Sequence, residues 1–453
     1  MRRRTFLTTS AFGAAAVLTG YSQTPKRRTI GPNDKINHAC IGVGGMGHHD
    51  LKNYLSYQKG QVVAICDVDM NSLNNAAKDA PDARKYQDWR ELLDKEGDRI
   101  DSVHICVPDH MHALIALHAI KRGKHVYCQK PLCHDVAECR ALSDAAKKMK
   151  VVTQLGTQHA SGHGDRMGVH FLKSGAIGTL QKIYLCSNRS GVGGLRWPGN
   201  PNPQGSTPPE HLNWDMWLGT APVREYAGGY HPFAWRSWLD FGTGWSGDIG
   251  CHIFDAAWKG FDLTKPLSVK AKVSDRWKDS PERRAQTWSP GNHITWTFAG
   301  IPQSGGKPFT MEWFDGEFLP SEDAQAYAKM AGFEKFPEEA MIAFGTEGAM
   351  LLPHTGGAHL LPKNKFESFE RPKMDGRNHY HHFLEAARGE ALNESFFERT
   401  GPMTETILLG TVAIRVPDTE LQWDATRMRI PNSPEATKLL SRTYRKGWEA
   451  PRV

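Results

Sequence analysis

Residues Ala39-Cys40-Ile41-Gly42-Val43-Gly44-Gly45-Met46-Gly47 constrain the fold more than any other stretch of the chain. An apolar run ends in G-x-G-x-x-G and passes into a sequence that reads as a helix. Twenty residues after Gly47, a second apolar run, Val62-Val63-Ala64-Ile65-Cys66, ends in Asp67. Strand, glycine turn, helix, strand and acid at this spacing form the dinucleotide-binding fingerprint of a βαβ unit. Gly42 permits the tight turn, Gly44 lets backbone approach a pyrophosphate, and Gly47 lets helix and strand pack closely. Gly45 and Met46 open the helix, whose free N–H groups suit a pyrophosphate. Asp67 suits ribose hydroxyls and repels a 2′-phosphate. No arginine follows it in Val68-Asp69, so NAD is the expected cofactor rather than NADP.

At 453 residues the chain is long enough for two or three domains. Its net charge of +7 is concentrated at one end: Arg2, Arg3, Arg4, Lys26, Arg27 and Arg28 all precede the first acid, Asp34. The rest balances 50 basic against 49 acidic residues, which removes the argument for a nucleic-acid partner. Arg3-Arg4-Thr5-Phe6-Leu7 resembles a twin-arginine export signal, and Ala11 to Leu18 is an apolar stretch too short to span a bilayer. An exported, periplasmic protein without an integral membrane segment in its mature form is therefore expected. The eight cysteines show no C-x-x-C or other metal spacing and sit in apolar contexts, so buried free thiols are expected.

From Ile36 to about Val152, strands (38–42, 61–66, 102–107, 125–128, 151–154) alternate with helices (48–57, 71–78, 89–96, 111–122, 136–149). That alternation predicts a parallel sheet covered on both faces. After Gln154 the pattern changes. A helix near 170–174 and a strand at 180–187 lead into a Pro/Gly/Trp-rich stretch from Ser190 to Trp245, too long for a structureless loop. Strands with period-two character follow at 267–274, 294–299, 309–314, 340–346 and 349–353, then helices at 380–388, 402–416 and from Ser433. The expected division is a signal and linker at 1–33, a nucleotide domain at 34–155 and an α+β domain at 156–453.

Two segments follow the third and fourth strands and so fall at the sheet's carboxyl edge, where open α/β folds bind ligands. On that ground Pro108, His110, His112, Gln129 and Lys130 join the expected cofactor-binding set. Lys130 follows a buried-looking strand and precedes Pro131, which marks it as functional. Further on, Phe241-Gly242-Thr243-Gly244-Trp245-Ser246-Gly247 leads into a helix carrying Asp248 and His252. At i and i+4 these share a face, and a carboxylate there can orient an imidazole for proton transfer. His379, His381 and His382 lack a paired carboxylate motif, and no metal site is expected.

Together the glycine motif, Val107-Pro108-Asp109-His110-Met111-His112, Gln129-Lys130-Pro131, Asp248-x-Gly250-x-His252, Asn213-Trp214-Asp215-Met216-Trp217-Leu218-Gly219 and Trp235-Arg236 resemble the Gfo/Idh/MocA family of nicotinamide-dependent oxidoreductases. The resemblance runs through most of residues 36–450, and the stretches around Gly401-Pro402-Met403-Thr404-Glu405 and Tyr444-Arg445-Lys446-Gly447-Trp448 look like the family's secreted bacterial members. It implies an α/β fold: an N-terminal Rossmann dinucleotide-binding domain and a C-terminal α+β domain with a large, mostly antiparallel sheet. It implies Lys130, Asp248 and His252 as catalytic residues at the nicotinamide. His252 would be the base, Lys130 the stabiliser of charge on oxygen, and Asp248 the group positioning the histidine or binding a hydroxyl. Gln129 departs from the glutamate usual before this lysine. His159, Tyr230, Trp235, Arg236 and Trp245 supply aromatic faces and forked donors suited to a carbohydrate or polyol substrate. The expected activity is NAD-dependent oxidation of a sugar, glycoside or cyclitol hydroxyl. The alternative is a glycoside hydrolase that works through transient C3 oxidation and elimination. An exposed sheet face in the second domain suits a homodimer or homotetramer, as in relatives.

Overall fold

The structure, a computed structural model, describes residues 28–190 and 197–452. The twin-arginine segment lies outside them. Five helix–strand alternations build a six-stranded, all-parallel sheet in the order β3-β2-β1-β4-β5-β6. Its strands are β1 Ile36–Ile41, β2 Gly60–Cys66, β3 Arg84–Tyr86, β4 Ser102–Ile105, β5 His125–Cys128 and β6 Thr153–Leu155. Helices α1 Met46–Leu55, α2 Met70–Asp79, α3 Trp89–Glu96, α4 Asp109–Lys121 and α5 Val136–Met149 connect them. Local chemistry fixes several ends. Asp88 caps α3 through the N–H of Arg90, and Asp135 with Glu138 closes a capping box on α5. The chain leaves β1 toward β2 on one side and returns through β4 on the other, so a crevice opens beyond their carboxyl ends. β3 was not foreseen: its Arg-Lys-Tyr sequence is polar and forms an edge.

After helix α6 (His163–Lys173) an eight-stranded sheet follows, in the order β13-β12-β11-β7-β10-β9-β8-β14. Its strands are β7 Leu180–Ser187, β8 Pro266–Val273, β9 Asn292–Phe298, β10 Phe309–Asp315, β11 Glu339–Gly345, β12 Ala349–Pro353, β13 His359–Leu361 and β14 Leu421–Gln422. All neighbours are antiparallel except β7 and β10. The period-two strands turn one face inward. Ile294, Trp296 and Phe298 of β9 are buried there, in one core with apolar residues of the helices Gly244–Gly260 and Phe397–Arg415. The helix Phe397–Arg415 begins five residues before Pro402, the expected start, and Thr153 Oγ1 accepts the Phe397 N–H. A helix the sequence pattern did not reveal, Glu322–Ala331, lays Ala324, Ala328 and Ala331 against Tyr184, Ile342 and Phe344 on the outer face. The expected open face is thereby reduced to the β8–β10 part, which carries Lys270, Lys272, Thr295, Thr297, Thr310 and Glu312.

The Pro/Gly/Trp-rich stretch, from Trp197 on, is an ordered cap with its own aromatic core of Trp217, Tyr230, Trp235, Trp238 and Phe241. It is stapled to the loop after β2. The Asn213 N–H donates to Val68 O at 3.0 Å and the Met70 N–H to His211 O at 2.8 Å. His211 Nδ1 and His231 Nε2 each lie 2.9 Å from a different oxygen of Asp69. Asp69→Ala leaves both imidazoles without that partner. It is expected to cost roughly 1–3 kcal/mol in urea unfolding and to speed proteolytic cutting within residues 200–240. Unchanged cutting would count against this staple.

Candidate active site

The crevice at the β1/β4 switch is a cavity of ≈ 420 Å³. Gly42, Gly44, Gly45, Met46 and Asp67 of the fingerprint line it, together with Pro108. Gly47 lies beneath: a Cβ there would stand 2.0 Å from the Gly42 carbonyl oxygen, so only glycine lets α1 sit so close to β1. The Asp67 carboxylate accepts the N–H groups of Val43 and Gly44 on Oδ2 and of Asp69 on Oδ1. The cap closes the opposite wall with Trp217, His231, Pro232, Phe233, Trp235 and Arg236.

These residues fit a dinucleotide. α1 starts at Gly45 without a side-chain cap and without an acid in its first turn, leaving its N-terminus suited to a pyrophosphate. A Cβ at Gly45 would meet no protein atom within 4 Å, so the backbone there is open to close approach. Asp67 and Asp69 together set two carboxylates on the ribose end, which disfavours a 2′-phosphate.

Three segments meet beside Arg236, which lines the cavity. Lys130, two residues past β5, donates to the Asp248 carbonyl at 3.0 Å and forms an ion pair with Asp248 Oδ1. Arg236, from the cap, reaches Asp248 Oδ2 at 3.3 Å. Burial pushes Asp248 toward neutrality, but the two cations prevail and hold its carboxyl below the usual range. This corrects the sequence reading. Asp248 does not orient His252; it is taken up by Lys130 and Arg236. His252 instead faces His354 and His159, with ring centroids 4.9 and 5.9 Å away, and its Nδ1 is buried without a hydrogen-bond partner. Burial and then the Lys130 charge lower the His252 pKa well below the ordinary imidazole value, keeping it neutral.

Four more expected ligands prove to be framework. His110 packs between Trp217 and Phe241 with Nε2 3.0 Å from the Trp217 carbonyl. His112 bridges the carbonyls of Pro131 and Val107, at 2.7 and 2.8 Å, and so braces both loops of the crevice. Burial lowers these imidazoles to about 3 and about 4. Tyr230 stacks within the cap core, and Trp245 donates Nε1 to Ser187. Trp235 and Arg236 do face the cavity, the guanidinium 4.2 Å over the indole ring, and His159 stands 4.8 Å from the His354 ring. His379 and His381 are engaged apart from each other, with Ser161 and Ser56 respectively.

Gln129 is also turned away from the cavity. Its Nε2 donates to Asp50 Oδ2 at 2.6 Å, where His104 Nε2 stands 2.9 Å off, while Tyr380 OH donates to Oδ1. Burial opposes ionisation of Asp50, and these hydrogen bonds overcome it. The departure from glutamate follows: a carboxylate at 129 would abut the buried Asp50. Asp50, His104 and Cys106 bring ligand-type atoms within 4.8 Å of one another, but both Asp50 oxygens are already engaged.

Asp109, read only as part of a motif, lies fully inside. Oδ2 accepts from Thr243 N and Oγ1, and Oδ1 has no partner. Burial and then the Asp248 charge push its carboxyl up to about 7. His354 and Glu339 were missed altogether. A strand pairing between residues 15 apart brings them together, and no local spacing signals it.

Family models match both units. One, described as the oxidoreductase family with an NAD-binding Rossmann fold, covers residues 36–157; the other, its C-terminal alpha/beta domain, covers 169–299. The chain belongs to the Gfo/Idh/MocA oxidoreductase family. It is 27% identical over 221 residues to a "Glycosyl hydrolase family 109 protein" of Shewanella pealeana, covering 44% of this chain and 47% of that relative. It is 27% identical over 204 residues to "Levoglucosan dehydrogenase" of Pseudarthrobacter phenanthrenivorans, 44% of this chain and 41% of that one. Each match spans less than half of the curated relative's length. A solved levoglucosan dehydrogenase, in complex with NADH and levoglucosan, shares the fold, with a TM-score of 0.56 at 18% identity over 86% of this chain and 99% of that one.

Two predictions follow from the buried carboxyls. Gln129→Glu removes the donor to Asp50 and should cost about 1–3 kcal/mol, read from the urea midpoint. Asp109 has its pKa raised in the folded state, so the folded protein keeps a proton that the unfolded chain releases near pH 4. The Asp109 contribution to stability should therefore fall as pH rises from about 4 through 7. Asp109→Asn should remove that contribution, read as a wild-type-minus-mutant difference in urea midpoint that shrinks across the range.

Proposed function

We propose that this protein is an NAD-dependent oxidoreductase that removes hydride from a secondary hydroxyl carbon of a sugar, glycoside or cyclitol. The observation that carries this reading is the ion triad Lys130–Asp248–Arg236, joined to the dinucleotide cavity through Arg236 in its wall, with neutral His252 near Lys130. Bound NAD supplies the hydride acceptor. Gly45 and Met46 hold its pyrophosphate, and Asp67 its ribose. An ammonium has three donors; two of those of Lys130 go to Asp248, which aims the third at the substrate oxygen. As hydride leaves carbon, the hydroxyl proton passes to His252, and Lys130 stabilises the charge developing on oxygen. Asp248 positions Lys130 and balances its charge, and Arg236 holds the other oxygen of Asp248. Trp235, Arg236 and His159 offer an apolar face and donors to a polyol.

The likeness to glycosyl hydrolase family 109 proteins supports a second reading, redox-neutral cleavage of a glycoside through transient oxidation. Export is part of the proposal and rests on Arg3-Arg4-Thr5-Phe6-Leu7 and the apolar stretch after it.

Mass spectrometry of nucleotide from the denatured protein should show NAD; NADP would overturn the cofactor assignment. A panel of sugars, glycosides and cyclitols is then read at the reduced-nicotinamide absorbance. Lys130→Met and His252→Ala should each lower turnover on the order of 100-fold or more while NAD still binds. Unchanged turnover would refute the assigned roles. Release of nitrophenol from a nitrophenyl glycoside without net NADH would favour cleavage.

A further inference from the structure

The proposed oxidation needs one proton acceptor, His252, yet a second imidazole stands beside it with a carboxylate of its own. β11 and β12 pair with Ala340 opposite Pro353, which sets His354 beside Glu339; the His354 N–H donates to the Glu339 carbonyl at 2.9 Å. The side chains pair as well, His354 Nδ1 lying 3.0 Å from Glu339 Oε2. Glu339 is fixed in turn by Ser187 Oγ at 2.8 Å and by Arg189 at 2.6 Å. Burial opposes its ionisation, but hydrogen bonds from His354, Arg189 and Ser187 bring its carboxyl down to about 2. With Nδ1 on the carboxylate, the free nitrogen of His354 is Nε2. It is buried and has no hydrogen-bond partner, on a side chain only 6% exposed. The ring centroid lies 4.9 Å from that of His252 and 4.8 Å from that of His159.

We propose that His354, oriented by Glu339, is a second general base of the site and acts on the hydrogen of the carbon next to the one oxidised. The proposal rests on the oxidoreductase reading above. When a hydroxyl carbon becomes a carbonyl, the neighbouring C–H is acidified. That C–H bond breaks, the proton goes to His354 Nε2, and the electron pair moves onto the carbonyl oxygen as an enolate beside the Lys130 ammonium. Glu339 offsets the imidazolium charge. Return of a proton from His354 restores the ketone, so the step needs no oxidant or reductant beyond the nicotinamide that took the hydride. The substrate class is a polyol or glycoside with a C–H next to the oxidised carbon.

The test is deuterium exchange. The enzyme with NAD is incubated in D2O with whichever sugar or glycoside reduces NAD in the panel, and recovered sugar and ketone are read by NMR. Wild type should place deuterium on the carbon next to the oxidised one. His354→Asn keeps an amide donor for Glu339 but lacks Nε2; exchange should fall about 100-fold or more and NADH formation less than about tenfold. Glu339→Gln, which carries the test if His354→Asn fails to fold, should lower exchange about tenfold. Wild type that forms NADH without exchange overturns the proposal, as does wild-type exchange in a folded His354→Asn or, failing that, in Glu339→Gln. A wild type that reduces NAD with no panel member fails the oxidoreductase reading, and the proposal falls with it.

Discussion

The ion triad Lys130–Asp248–Arg236 ties the structure to its chemistry. Lys130 comes from the parallel sheet, Asp248 from a helix of the second unit 118 residues later, and Arg236 from the cap. Taking these charges out of water costs several kcal/mol per ion, so each group tolerates its place only because the others are present. A carboxylate shared by two cations satisfies both oxygens. The triad therefore holds three separate segments at one point, joined to the dinucleotide cavity through Arg236 in its wall.

Around it, polar groups that resemble chemistry turn out to be bracing. His112 joins the carbonyls of Val107 and Pro131, and so links the loops that carry Pro108 and Lys130. Asp50 gathers Gln129, His104 and Tyr380, tying the helix that starts at the glycine loop to the segment that follows β5 and carries Lys130. Asp69, gripped by His211 and His231, holds the cap over the adenosine side. The loops that carry Pro108, Lys130 and Asp67 are thus each held by a polar contact one or two residues away.

Much of this was legible in the chain. The helices Trp89–Glu96 and Val136–Met149 and the strands His125–Cys128, Leu180–Ser187 and Ala349–Pro353 lie where the alternation and periodicity of the sequence placed them. So does the glycine turn, because βαβ geometry is local. What stayed hidden depends on tertiary pairing. The edge strands β3, β13 and β14 are short and carry little pattern, and the helix Glu322–Ala331 buries only alanines. Asp248 and His252 have the right spacing on a helix, but spacing does not say that a lysine from another unit claims the carboxylate. The carboxylate–imidazole pair expected there exists as Glu339 and His354, across a hairpin.

The central claim is that Asp248 belongs to Lys130 rather than to His252. A double-mutant cycle in urea unfolding free energy tests it directly. Asp248→Asn leaves Lys130 and Arg236 short of a counter-charge and should cost about 3–5 kcal/mol. Adding Lys130→Met should cost little more, giving a coupling energy of about 1–3 kcal/mol between positions 130 and 248. Asp248→Asn and His252→Ala should add independently, within about 0.5 kcal/mol. Strong coupling between 248 and 252, with additivity between 130 and 248, would contradict the account.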